Sequence, residues 1–173
     1  MSVLRHSSTI NDIVVCTKSN SCVTCSNDGR VIITNVSNYT VTAKLVLNRP
    51  IISISLDPFF PRSGRLITGS DKIEIHKRKF TGSYAGDVIS VNDGIVSNIL
   101  WRNNIIIYCS DISVRMYDLS SNVYFGVIHK PVIEVNNKSI TFSIMWGTND
   151  NLIVAIGMSI KVMIYYVKLN YFG

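Results

Sequence analysis

Cys22-Val-Thr-Cys25 is the one pair of nucleophiles in this sequence at a spacing that chemistry commonly uses. Two thiols set this way serve in disulfide exchange or form half of a zinc site. The pair lies in an apolar run just ahead of Asn27-Asp28-Gly29, which predicts a strand followed by a turn. Residues three apart on a strand point to opposite faces, so these thiols cannot bridge without breaking it. Cys16 and Cys109 supply no second ligand pair, and no histidine stands beside them. Buried free thiols point to a reducing compartment and hence to the cytosol. His6, His76 and His129 are scattered, and none has a Cys, Asp or Glu at ligand or triad spacing within its own segment. Neither GxxxxGK[ST] nor GxGxxG occurs. The expectation is therefore a chain with no catalytic residue, no metal, no cofactor and no small-molecule substrate.

Two segments could instead make contacts. His76-Lys77-Arg78-Lys79-Phe80 concentrates positive charge beside an aromatic. Lys77, Arg78 and Lys79 could rest on anionic lipid, each basic residue near a membrane surface adding about 1 kcal/mol. The alternative is a solvated link between two strands, since lipid-reading clusters usually hold more cations. Pro58-Phe59-Phe60-Pro61 offers the same choice, because Phe59 and Phe60 could insert into a partner groove or membrane, or plug their own loop.

The elements that must position these residues are strands. The chain has 173 residues, 47% of them hydrophobic and 16% charged, which is the balance of a packed domain. Ile and Val dominate the apolar set, and branching at Cβ favours strands. A net charge of +6 suits anionic partners, but there is no dense basic stripe with interleaved aromatics, so nucleic acid is not expected. The N-terminus lacks the apolar core of a signal peptide. Leu152 to Val167 is nearly continuous apolar sequence, interrupted by Ser159 and Lys161. It is shorter than the ~20 residues of a spanning helix, and a turn at Gly157 would divide it into two buried strands.

Internal repetition organises the whole. A β-branched run, a small residue, a tight turn and another strand recur around Ser26, Ser70, Ser110 and Gly157, at spacings of 44, 40 and 47. A four-stranded propeller blade takes ~40–45 residues. First strands are predicted over Asp12–Thr17, Ile51–Leu56, Val96–Trp101 and Ile140–Trp146, and outer strands over Val41–Val46, Asp87–Val91 and Val123–Ile128. Asn27-Asp28-Gly29 predicts a two-residue hairpin that needs positive φ. The fold class is all-β: a partial β-propeller of about four four-stranded antiparallel blades, without helices. The blades run roughly over 10–47, 48–92, 93–130 and 131–168, in one segment of 1–173. Four blades are at the low end of what closes a ring, so the expectation is either an open arc with an exposed face at each end or a small closed four-bladed ring.

Three stretches carry a family resemblance: Ile51 to Phe59 with Arg65 to Ser70; Leu100-Trp101-Arg102 with Asp111 to Asp118; and Met145-Trp146 with Leu152 to Val162. In this order they resemble the N-terminal WD-repeat propeller of the vacuolar protein sorting-associated protein 41 family, subunits of the HOPS tethering complex. The likeness runs from about Ile10 to Val167, with Tyr117-Asp118 in place of the Trp-Asp signature. It implies a non-enzymatic scaffold that helps vesicles dock at the vacuole or lysosome. Implied partners are other tethering-complex subunits and a Rab-type GTPase, and the implied location is cytoplasmic, peripheral on the late endosome or vacuole membrane. Members of that family continue into a helical solenoid and a Cys/His zinc module, which these 173 residues do not contain. Two other readings stand beside it: a peripheral membrane module that reads acidic lipid, and a degenerate fragment.

Overall fold

Each repeat folds as an antiparallel meander whose strands follow one another in space as they do in sequence. The computed structural model describes residues 5–129, 141–147, 151–158 and 161–168. The first sheet comprises β1 (Ile10–Cys16), β2 (Ser21–Ser26), β3 (Arg30–Asn35) and β4 (Val41–Val46). The second holds β5 (Ser53–Leu56), β6 (Leu66–Gly69), β7 (Lys72–Arg78) and β8 (Tyr84–Val91). The third holds β9 (Val96–Arg102), β10 (Ile105–Ser110), β11 (Ser113–Asp118) and β12 (Val123–His129). The fourth has three strands among the described residues, β13 (Thr141–Trp146), β14 (Asn151–Met158) and β15 (Lys161–Lys168).

Burial shows how the sheets stack. In β10 the side chains of Ile105, Ile107 and Cys109 join a core with Phe142, Ile144, Leu152 and Val154 of the fourth sheet. Ile106 and Tyr108, on the other face, join Ile67, Ile73 and Ile75 of the second sheet. A strand covered on both sides must be apolar throughout, which is why this one reads as an unbroken run rather than an alternation. A third core closes the first sheet onto the second through Val23, Cys25, Val31, Ile33, Ile54 and Leu66. Inner strands sit side by side in chain order, β1 against β5, β5 against β9 and β9 against β13. No comparable packing joins β1 to β13, so the array is a partial propeller that does not close.

Ile13 and Val15 lie on the face of β1 that looks away from the second sheet and are 60% and 55% exposed, whereas Val14 and Cys16 pack inward. At the rim, the third and outer strands slip register in three sheets: after Ile33 and Met116, close to the turn that joins the two strands, and after Ile73, at the far end of the pair. One extra residue in each outer strand twists the open edge, a device that discourages edge-to-edge pairing.

Several expectations are corrected in detail. A short helical turn, α1 (Phe60–Ser63), and a 3₁₀ turn (Thr17–Ser19) occupy first-to-second-strand connections where no helix was expected. β5 begins at Ser53, because the backbone of Ile51 and Ile52 instead bonds Ser26 and Gly69 and ties the first two sheets together. The turn at Asn27-Asp28-Gly29 spans three residues, not two: the Gly29 amide donates to the Ser26 carbonyl and Gly29 alone takes φ 72°. That is a three-residue loop with a left-handed glycine at its end. Within the long apolar run, Gly157 pairs with Thr141 and Val162 inside the sheet, so β14 continues to Met158. The expected start at Ile140 lies outside the described residues.

Candidate interaction surface

Most of the ionisable side chains that share a place in the repeat are consumed in holding the sheets together. His6, just before β1, turns Nδ1 to the Asp28 carboxylate at 3.2 Å and Nε2 to Thr24 Oγ1 at 2.8 Å. Asp28 also accepts from the backbone amides of Ser7 at 2.8 Å and Arg30 at 2.9 Å. Burial alone would raise its carboxyl, but the two amides and His6 outweigh this and hold it at about 2. An Asp–His–Thr line has the look of a proton relay. Here both side chains behind Thr24 are buried and bonded, and they pin the residues before β1 onto the turn after β2.

The same place is filled differently in the next two sheets. Arg49, before β5, bonds Glu74 at 2.6 Å and approaches Thr68 at 3.4 Å and Asp71 at 3.4 Å. Burial opposes ionisation of Glu74, yet Lys72 and Arg49 hold its carboxyl below its usual range. Asp93, before β9, accepts from the Tyr108 hydroxyl at 2.6 Å and from Ser90, and pairs with Arg115 at 3.0 Å. Burial pushes the Tyr108 hydroxyl well up, and its bond to Asp93 adds to that. Each cluster joins a loop residue to the second and third strands of its sheet. Sequence reasoning passed over these clusters, although His6, Arg49 and Asp93 recur at spacings of 43 and 44, in phase with the repeat.

The cysteines are free, and burial pushes the Cys25 thiol up to about 12, which makes it inert at neutral pH. Cys22 and Cys25 lie on opposite faces of β2, paired across to Val15 and Asp12. His76 is buried against Thr68 Oγ1 at 2.9 Å, and burial lowers it to about 4.

The predicted contact residues divide. The basic run is not a linking loop: His76, Lys77 and Arg78 belong to β7, paired with Gly86, Ala85 and Tyr84 of β8. His76 points inward while Lys77 and Arg78 are exposed, with Lys77 3.5 Å from Asp87. Lys79 opens the loop whose tip carries Phe80, a fully exposed ring. Phe60 is 7% exposed and belongs to the core between the first two sheets, so it is no surface contact. Phe59 is 62% exposed. Arg78, Lys79, Phe80, Phe60 and Arg62 line one cleft of about 440 Å³ between the first two sheets, at the end opposite the polar clusters. Among the described residues no helix is long and apolar enough to cross a membrane, and no His, Cys, Asp and Glu gather as metal ligands.

Sequential antiparallel meanders, stacked through inner strands and, in the first three sheets, tied by a polar cluster before the first strand, define a β-propeller built of repeated blades. The chain matches the family model Beta-prop_Vps41, described as a Vps42 beta-propeller, over residues 2–170 and belongs to that family. It is 26% identical over 161 residues to a vacuolar protein sorting-associated protein 41 homolog of Arabidopsis thaliana, covering 91% of this chain and 16% of the relative. Vacuolar protein sorting-associated protein 41 of Schizosaccharomyces pombe is 25% identical over 170 residues, 96% of this chain and 19% of the relative. A Danio rerio homolog is 24% identical over 115 residues, 65% of this chain and 14% of the relative. The chain thus spans less than a fifth of the length of these relatives.

Proposed function

We propose that this chain is a non-enzymatic interaction scaffold in protein transport from endosome to vacuole or lysosome, working within a HOPS-type tethering complex. The observation that carries this reading is the family match along nearly the whole chain, on relatives named for vacuolar protein sorting. The geometry agrees with it. The polar clusters at the entrances of the first three sheets serve as structural ties, and the blades offer broad surfaces for partners. Its partners would be other tethering subunits and a Rab-type GTPase, met on the cytoplasmic side of late endosome or vacuole membranes. Affinity isolation of the tagged chain from its own cells tests this. Recovery of tethering subunits together with the GTPase supports the reading. A properly folded chain that recovers neither, and that fractionates away from endosome and vacuole membranes, overturns it.

A further inference from the structure

The cleft between the first and second sheets has features that the tethering role does not explain. Arg62 of α1 meets Arg78 at the end of β7 and Lys79 just beyond it there, from two separate parts of the second sheet, and no acidic residue among the described residues lines the cleft. Among the described residues none of these three cations makes an ion pair, whereas the neighbouring Arg65 is held by Asp57 at 2.6 Å and Lys77 by Asp87. Like charges gathered without a counter-ion repel each other, so a ligand that neutralises them is strongly favoured. Ser19 lines the same cleft, and its buried hydroxyl has no hydrogen-bond partner. A buried polar group left unmatched is costly and calls for an explanation such as a missing ligand.

We infer that this cleft binds a phosphorylated headgroup of the inositol-phosphate class. Phosphate oxygens supply the multiple acceptors that two guanidinium groups, an ammonium and a hydroxyl require. At about 440 Å³ the cleft holds roughly fifteen waters at about 30 Å³ each, far more than one phosphate ion occupies, and it falls in the range of small-ligand sites. The rim favours a lipid as the carrier. Phe80 stands fully exposed at the tip of the loop beside Lys79, and nothing packs on it. An aromatic tip next to a cationic cleft matches a surface that lays its ring among acyl chains while the cleft takes the headgroup. The inference is independent of the tethering assignment and would stand if that assignment failed.

Flotation of the full chain with vesicles tests it. One set carries phosphatidylinositol phosphate in phosphatidylcholine, and a second carries phosphatidylserine at matched surface charge. The chain should prefer the first set, and soluble inositol hexakisphosphate should compete. Arg62→Gln, Arg78→Gln and Lys79→Gln together should weaken binding on the order of a hundredfold, about fivefold for each cation lost. These are surface cations without structural partners, and an unchanged melt would confirm that the variant folds. Phe80→Ser separates the two sources: loss of vesicle binding with inositol hexakisphosphate binding intact supports a lipid-borne headgroup, and no effect on either supports the soluble one. Equal binding to both vesicle sets, indifference to the triple substitution, or capture of phosphopeptides with no affinity for inositol phosphates would overturn the proposal.

Discussion

Replacing Asp28 by alanine separates a structural tie from a proton relay. The carboxylate accepts from His6 Nδ1 and from the amides of Ser7 and Arg30, so Asp28→Ala leaves three donors without it. Ser7 is exposed and water can replace that bond, while Arg30 and His6 are partly buried and lose more. A buried donor left unsatisfied costs about 1–3 kcal/mol, so the two inner losses total roughly 2–6 kcal/mol. The effect also has a pH signature. With the folded carboxyl held at about 2 against an ordinary 3.8, the stability Asp28 adds is present above pH about 4 and is lost as pH falls towards about 2. Urea unfolding at several pH values, for native chain and variant together, reads both quantities. The difference between them should be full at neutral pH and shrink through that acid window. A variant within about 0.5 kcal/mol of the native chain at neutral pH, or a difference that ignores pH, would refute the tie.

Gly29→Val should destabilise by roughly 3 kcal/mol, at the top of the range for a residue forced into a sparsely populated backbone region, because any Cβ there runs into the Leu47 carbonyl; thermal unfolding measures it. Phe60→Ala should cost about 3–5 kcal/mol and Phe59→Ala should stay within about 0.5 kcal/mol, since only the first ring is in the core; comparable losses in urea unfolding would mean that α1 is misplaced. His76 should titrate near 4 by NMR, and stability should fall as pH drops from about 6.5 towards about 4, because the unfolded chain takes up a proton there that the fold refuses; a normal titration would contradict its burial. Ile13→Lys with Val15→Lys should reduce self-association of the purified chain in light scattering, as both side chains lie on an uncovered blade face; a native chain that is already monomeric would contradict this.

The blades were legible because period, turn and strand signals all lie within a few residues of one another. The outer strand over Val41–Val46 is found where its residues predict it, and Ile73 and Ile75 alternate inward as their spacing suggests. The basic run misled because charged residues at a strand end look like a loop. Lys77 and Arg78 stay in β7 through backbone pairing to Ala85 and Tyr84, which makes no demand on exposed side chains. Adjacent Phe59 and Phe60 cannot be told apart by composition. One helical turn sends the second ring into the core and leaves the first outside. The cationic cleft was half visible, since Arg78 and Lys79 were in view while Arg62 arrives from a different connection. Glycine behaves similarly: Gly69 lets Val96 and Ile99 of the third sheet approach to within 2.7 Å of where a Cβ would stand, a contact no local pattern announces.

The polar clusters were hidden for a more instructive reason. What recurs is complementarity rather than residue type. In the first two sheets a nitrogen donor on the loop, His6 or Arg49, meets carboxylates on the turn or third strand. In the third sheet the signs are exchanged: the loop supplies the carboxylate of Asp93, and β11 supplies Arg115. Removing one partner of such a buried pair strands the other charge, at a cost of about 3–5 kcal/mol, whereas exchanging the whole set keeps every group matched. Comparing single positions across these three sheets therefore finds little to match. A tie stands at the entrance to each of the first three sheets, where it anchors the incoming loop before the first strand. A histidine bound into that anchor is held by the demands of the fold, which is why its triad-like geometry in the first sheet does not signify catalysis.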